Sequence, residues 1–253
     1  MNLFYCPEIN NNKIIFLSEE ESAHAIRVLR MKTGNSMFLA DGKGIFYSAE
    51  IISDNVKKCS VRIIHPITDS SKRSFHLTIA IAPTKSIDRF EWFLEKATEI
   101  GCDDIIPISC KHSERTVIKI ERLNKVLVSA MKQCLKSQLP KLHELQDFKS
   151  FINEPLPSPS REGAGGRWQK FIGHIPELSE SEFPPQNPQG KLLQNIYKKG
   201  DNALIVIGPE GGFSEEEISL AMQNEFTSIS LGNSRLRVET AGIVACSIVN
   251  AIN

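Results

Sequence analysis

Two segments near the carboxyl end of this 253-residue chain combine glycines with charged groups in an order that suits ligand binding. The first is Ile207-Gly208-Pro209-Glu210-Gly211-Gly212-Phe213-Ser214. The second is Leu231-Gly232-Asn233-Ser234-Arg235-Leu236-Arg237-Val238-Glu239-Thr240-Ala241. Each follows a strand-like apolar run and leads into a helix-like one. Glycine after a strand lets the backbone approach a ligand closely. In open α/β sheets, ligands bind beyond the carboxyl ends of the strands. Two such loops from one sheet can wall one crevice, with Arg235, Arg237 and Glu239 at its rim. Read from the residues alone, plainer roles stay open. A tight strand-to-helix turn also needs glycine, loop arginines are commonly solvated, and a carboxylate in a first helical turn is favoured by the helix dipole.

Other chemistries find no support. There is no G-x-x-x-x-G-K-S/T phosphate loop, no G-x-S-x-G elbow and no H-E-x-x-H. Gly163-Ala164-Gly165-Gly166 begins like a dinucleotide fingerprint, but Trp168 stands where the third glycine belongs, in a Pro-rich stretch rather than after a strand. Cys110-Lys111-His112 supplies two metal ligands, too few for a site. No metal is expected.

These loops need elements to hold them. From about residue 73 the chain alternates strand and helix patterns. Phe75 to Ile81 alternates at period two; Phe90, Phe93, Leu94 and Ala97 recur at helical spacing before Gly101. Ile105-Ile106-Pro107-Ile108 reads as a strand, and Leu123, Val126, Leu127, Ala130 and Cys134 mark a helix. Ala203 to Ile207 is a continuous apolar run, as for a strand covered on both faces. Ser214 with Glu217 forms a capping box that opens a helix to about Asn224. Ile229-Ser230-Leu231 is strand-like, and Ala241, Val244, Ala245, Ile248, Val249 and Ile252 give a last amphipathic helix. The pattern predicts an α/β domain with a mainly parallel sheet over 73–253.

Residues 1–72 read differently. Phe4-Tyr5, Lys13 to Leu17, Ser36 to Ala40, Ile45 to Ile52 and Cys59 to Ile64 are short strands, with a hairpin signal at Asp41-Gly42-Lys43-Gly44. Ser18 and Glu21 predict a capped helix whose apolar face is Ala25, Val28 and Leu29. A small β-barrel with one helix fits. Polar residues 68–74 suggest a linker. The Pro/Gly-rich stretches at about 154–167 and 177–190 read as surface insertions acting as spacers.

Lys plus Arg and Asp plus Glu are 30 each, so the formal net charge is zero, which argues against a uniformly basic nucleic-acid coat. Any contact with RNA must be a local patch. No run approaches the ~18 apolar residues of a membrane helix, and the first twelve residues lack a secretory pattern. Six scattered cysteines without C-x-x-C suit a reducing, cytoplasmic setting and no membrane.

I-G-P-E-G-G-F-S-x-x-E followed by L-G-x-x-x-L-R-x-E-T-A closely resembles the RsmE family of the SPOUT superfamily, along nearly the whole chain. His24-Ala25, Val28-Leu29-Arg30, Gly34 and Asp41-Gly42 are similar to that family's PUA-like amino-terminal domain. Pro83-x-Lys85, the run Lys96 to Gly101, Ser113-Glu114-Arg115, and Gln133-Cys134 with Pro140 follow its other motifs in order. Two departures stand out. Lys132 occupies a position where the family often has an acid, and Lys136 one where it often has arginine.

The resemblance implies a PUA-like RNA-binding β-barrel over 1–72 and a SPOUT domain over 73–253 whose carboxyl-terminal segment is threaded as a trefoil knot. It implies S-adenosylmethionine as cofactor and a homodimer. The activity implied is methylation of N3 of one uridine of 16S rRNA, position 1498 in the common numbering, within the small ribosomal subunit. Ile207, Gly208, Pro209, Glu210, Gly211, Gly212, Leu231, Gly232 and Leu236 would hold the cofactor. Arg237 would stabilise negative charge on the uracil, with Glu239 as base or as the group orienting Arg237. Arg27, Arg30, Lys85 and Arg115 would contact RNA phosphates, and His24 reads as a structural hydrogen-bonder. The alternatives are another RNA target within the superfamily and a non-catalytic RNA-binding protein that kept the fold.

Overall fold

The structure, a computed structural model, describes residues 2–9, 13–69, 73–155, 166–174 and 191–253. The second insertion, 177–190, and most of the first lie outside the described residues, as do 70–72 of the linker. The chain divides into two compact units, Met1–Lys72 with Leu127–Leu139, and Arg73–Val126 with Pro140–Asn253.

The first unit contains β1 (Leu3–Tyr5), β2 (Ile14–Phe16), α1 (Glu19–Ala23), β3 (Ser36–Ala40), β4 (Ile45–Ser53) and β5 (Ser60–Thr68). The strands form a curled five-stranded sheet in the order β1-β3-β4-β5-β2. It closes over Phe4, Leu39, Ile51 and Val61, all fully buried, with Ala25 from the helical segment. This is the small β-unit with one helix that the sequence predicts.

The helix itself differs from the prediction. Ser18 Oγ accepts from the Glu21 amide as expected (3.2 Å), but α1 passes at His24 into a π-helical turn, His24–Val28. A π turn spaces its hydrogen bonds at i→i+5, which rotates later side chains off the face set by Ala25. Val28 is accordingly 67 % exposed and not part of the apolar face. The Glu21 carboxylate turns to Lys132, at 2.6 Å. Lys132 belongs to a helix, α3 (Ile120–Gln133), whose last residues cluster with the first unit.

The second unit is built on a sheet of eight strands. In chain order it contains β6 (Leu77–Ile81), α2 (Ile87–Ile100), β7 (Asp104–Ser109), β8 (Lys141–Leu142), β9 (Gln146–Asp147), α4 (Phe148–Asn153), β10 (Trp168–Gly173), β11 (Lys191–Leu192), α5 (Leu193–Ile196), β12 (Asn202–Ile207), α6 (Glu215–Gln223), β13 (Thr227–Ser230) and α7 (Val238–Ile252). The order is β11-β13-β10-β12-β6-β7-β8, with β9 also on β7, and every pairing is parallel. Helices cover both faces, so β6 and β12 are buried along their whole length. That is why Ala203–Ile207 of β12 is a continuous apolar run; the alternation over Phe75–Ile81 does not leave β6 a solvent face, since Thr78 is buried with the rest.

On one face α7 packs on α2 and β6. The contact is so close at Gly242 that a Cβ there would lie 2.5 Å from the Phe93 ring. On the other face Phe148, Phe151 and Ile152 of α4 and Ala221 of α6 meet Ala80, Ile106, Leu204 and Val206. The sequence reading assigned no element to Trp168–Gly173. Here it is a central strand, β10, lying between β12 and β13. Its polar positions Gln169 and Lys170 interrupt the kind of apolar run by which β12 announces itself.

Candidate functional site

The carboxyl ends of β6, β7, β10, β12 and β13 lie along one edge of the parallel sheet. Gly173, the last residue of β10, is in register with Ile207 of β12 on one side and Ile229 of β13 on the other. Gly208 and Leu231 therefore emerge on either side of one short strand end. The structure thus brings the two glycine loops to the same sheet edge. The signal for Gly173 in the sequence, a glycine closing Phe171-Ile172, is faint without the strand assignment.

The glycines of the first loop have distinct reasons. A Cβ on Gly208 would stand 2.8 Å from the Phe213 ring, which packs on Phe148 at 5.4 Å between centroids. One on Gly211 would stand 2.8 Å from Cβ of His112. Gly212 has φ +74° and Gly232 φ +141°, values that favour glycine, and both have open space where a Cβ would point. The Gly212 amide closes a turn on the Pro209 carbonyl at 2.9 Å. Pro209 is buried and Glu210 exposed. In the second loop Leu231, Gly232 and Leu236 are half-buried, whereas Asn233, Ser234 and Arg235 are exposed.

Glu210 does not point away from the protein. Its Oε1 accepts the backbone N–H of Lys85 at 3.0 Å. The Lys85 ammonium lies 2.7 Å from Glu114, and this hydrogen bond raises the lysine pKa. Arg115 donates from Nε to the Thr84 carbonyl at 3.0 Å and from Nη2 to the Lys85 carbonyl at 2.6 Å. Lys85, Glu114, Arg115 and Glu210 are thus one cluster.

The capping box forms as predicted. Ser214 Oγ accepts from the Glu217 amide at 3.3 Å, and Glu217 Oε2 accepts from the Ser214 amide at 2.8 Å. Its other oxygen accepts the Lys111 amide at 2.8 Å, a contact the sequence reading missed. His112, also missed, has Nδ1 3.3 Å from the Gly212 carbonyl oxygen. Cys110 is buried. Burial, reinforced by the Glu217 and Asp147 carboxylates, pushes its thiol pKa far up. Among the described residues no group of three or more His, Cys, Asp or Glu could hold a metal.

Arg237 is the N-cap residue of α7. It is exposed, and its side chain makes no capping hydrogen bond. Glu239, two residues on, is only 7 % exposed, with Oε1 4.0 Å from Nε of Arg89. Arg27 and Arg30 belong to the first unit and are exposed. Arg30 takes φ +54°, an uncommon value for a residue with a side chain.

The loops can cradle a ligand with their backbone groups, and Arg237 offers a positive charge beside it. Comparison with known proteins agrees with such a use. Residues 71–250 match the family described as RNA methyltransferase domain, and residues 17–64 the family described as RNA methyltransferase PUA domain. The chain is 25 % identical over 243 residues to ribosomal RNA small subunit methyltransferase E of Bacillus subtilis, covering 92 % of this chain and 88 % of that protein. The structure of a probable rRNA-methyltransferase from Porphyromonas gingivalis superposes with a TM-score of 0.83 at 36 % identity, covering 100 % of this chain and 98 % of the other. A Legionella pneumophila chain solved with the bound cofactor SAM gives a TM-score of 0.80 at 27 % identity, covering 98 % of this chain and 96 % of the other.

Proposed function

The chain belongs to the RNA methyltransferase family, among the relatives of ribosomal RNA small subunit methyltransferase E, and on that premise we propose that it methylates N3 of uridine 1498 of 16S rRNA with S-adenosylmethionine. The observation that carries the site is the placement of Gly208 and Leu231 on either side of the Gly173 strand end, with open space at Gly212 and Gly232. Backbone without side chains on that side suits a flat adenosyl group. The residues present fit the cofactor. Ile207, Gly208, Pro209, Glu210, Gly211 and Gly212 from one loop, with Leu231, Gly232 and Leu236 from the other, would hold it, the leucines against the adenine. We read this region as a trefoil knot and the protein as a homodimer acting in the cytoplasm. Among the described residues no helix is long and apolar enough to cross a membrane.

When bound, the cofactor supplies an electrophilic methyl group on a sulfonium. Transfer of that methyl to uracil N3 would exchange the carbon–sulfur bond for a carbon–nitrogen bond, and the N3 proton would have to leave. The uracil becomes negative as that proton departs, and a positioned cation lowers the barrier. Arg237 would take that role; it is exposed and its side chain makes no capping bond. Glu239 is mostly buried beside Arg89 and would orient the arginines or take the proton; water is the other acceptor. N3 lies on the pairing edge of the base, so the target nucleotide must be unpaired or extruded. Exposed Arg27, Arg30 and Lys85 would hold flanking phosphates, which position RNA without reading its sequence.

The test is methyl transfer from labelled S-adenosylmethionine to small ribosomal subunits lacking the modification, followed by nucleoside analysis, with free 16S rRNA and tRNA alongside. N3-methyluridine in the 16S fraction is the expected product. Cofactor binding with transfer to a different nucleoside would replace the target, and no cofactor binding would refute the reading.

A further inference from the structure

The Ser113-Glu114-Arg115 segment lies beside the cofactor loop, and its arginine is not directed at solvent. The guanidinium is half-buried and spans two consecutive carbonyls, those of Thr84 and Lys85, at 3.0 and 2.6 Å. A planar fork of donors suits that task, and a single ammonium cannot reproduce it. The same peptide unit is gripped from its other side. The Lys85 N–H donates to Glu210 at 3.0 Å, and Glu210 directly precedes Gly211. A continuous path therefore runs from Arg115 through the Lys85 backbone and Glu210 to the glycine turn.

The segment that carries Arg115 is itself anchored to that turn. The Lys111 amide donates to Glu217, His112 Cβ fills the space beside Gly211, and Ser113 Oγ accepts the Cys110 amide at 2.9 Å. The loops after β6, β7 and β12 thus form a closed triangle. Arg115 joins the first two, Glu210 the first and third, and Glu217 with His112 the second and third. Removing one side lets the glycine turn shift relative to the other loops.

We propose that Arg115 is a positioning residue that sets the cofactor turn through Lys85 and Glu210, and that it does not contact RNA. This rests on the functional reading above. Lys85 divides its roles: its backbone belongs to the triangle, while its ammonium, 74 % exposed and paired with exposed Glu114, is left for phosphate. Such an exposed pair is weak, so a phosphate competes with Glu114 readily.

Two variants of the full protein separate the roles. S-adenosylmethionine affinity is measured by calorimetry, and affinity for a 16S rRNA transcript is measured across a salt series. Losing one phosphate contact lowers the slope of log affinity against log salt by about one. Arg115→Gln should weaken cofactor binding about tenfold, the cost of one lost charge-assisted hydrogen bond, and leave the RNA salt slope unchanged although a positive charge is removed. Lys85→Gln should do the reverse, with cofactor affinity as in the unaltered protein and the slope reduced by about one. A thermal melt of Arg115→Gln near that of the unaltered protein separates positioning from general unfolding. Wild-type cofactor affinity in Arg115→Gln together with a reduced slope would overturn the proposal and make Arg115 a phosphate contact. Failure of the unaltered protein to bind the cofactor would instead overturn the functional reading itself.

Discussion

Gly208 and Phe213 are locked edge to backbone: a Cβ on the glycine would meet ring atoms at 2.8, 3.0 and 3.1 Å. The first glycine of the turn is therefore required by a ring of its own loop. Gly208→Ala should push Phe213 off Phe148 and move the turn. Affinity for S-adenosylmethionine should fall about tenfold or more, because atoms displaced by tenths of an ångström lose their hydrogen-bond geometry. Calorimetry checks this, and unchanged affinity would separate the turn from the cofactor.

Arg237 is expected to act on the reaction rather than on binding. Arg237→Ala should lower kcat about 10²–10³-fold, as for removal of one donor to a developing anion, and leave cofactor Kd within about twofold. Single-turnover methyl transfer at saturating cofactor, with Kd measured separately, tests the split. A loss seen only in Kd would make Arg237 a cofactor ligand.

Asp104 predicts an acid transition. Burial raises its pKa, but the bonds from His143 (2.5 Å) and His76 (2.7 Å) more than reverse this and hold it at about 2. The unfolded value is about 3.9. Because the folded value is the lower one, the contribution is complete above about pH 4 and disappears as pH falls towards 2. Asp104→Asn should lower stability at pH 7 and flatten the loss between pH 4 and 2, which denaturant unfolding at several pH values measures. An unaltered pH slope in the variant would remove Asp104 from the account.

Lys132 and Glu21 form a mostly buried ion pair at 2.6 Å, with side-chain exposures of 22 % and 8 %. That bond is made by Oε1; among the described residues Glu21 Oε2 has no hydrogen-bond partner. Lys132→Ala should cost about 3–5 kcal/mol by stranding the carboxylate. Lys132→Met combined with Glu21→Leu should recover most of it, since an apolar pair of similar volume avoids the desolvation cost. Urea unfolding of the single and double variants decides. A cost equal in both would mean that the ion pair itself is net stabilising and that a stranded carboxylate is not the source of the loss.

Much of the fold was legible because local rules agree with the tertiary ones. Ala203–Ile207 reads as a doubly covered strand, and it is buried throughout between β10 and β6. Ser214 and Glu217 read as a capping box three residues apart, and a box forms. The helix after Ser18 was only half legible: its cap is local, but the π turn at His24–Val28 is not signalled by periodicity. β10 was invisible because Gln169 and Lys170 break the kind of apolar run that marks its neighbour β12.

Local sequence alone placed glycines at two strand ends, an arginine at a helix start, and a matching order of motifs. These are properties of short segments, set by backbone sterics, capping and burial. Only the tertiary structure decided which segments meet. It placed Gly173 between the two loops, put His112 on Gly211, and turned Arg115 onto the carbonyls of Thr84 and Lys85. It also gave the Glu21 carboxylate a partner 111 residues away. Such pairings depend on strand order and close approach between distant elements, and a side chain's own neighbours in the chain carry no information about them.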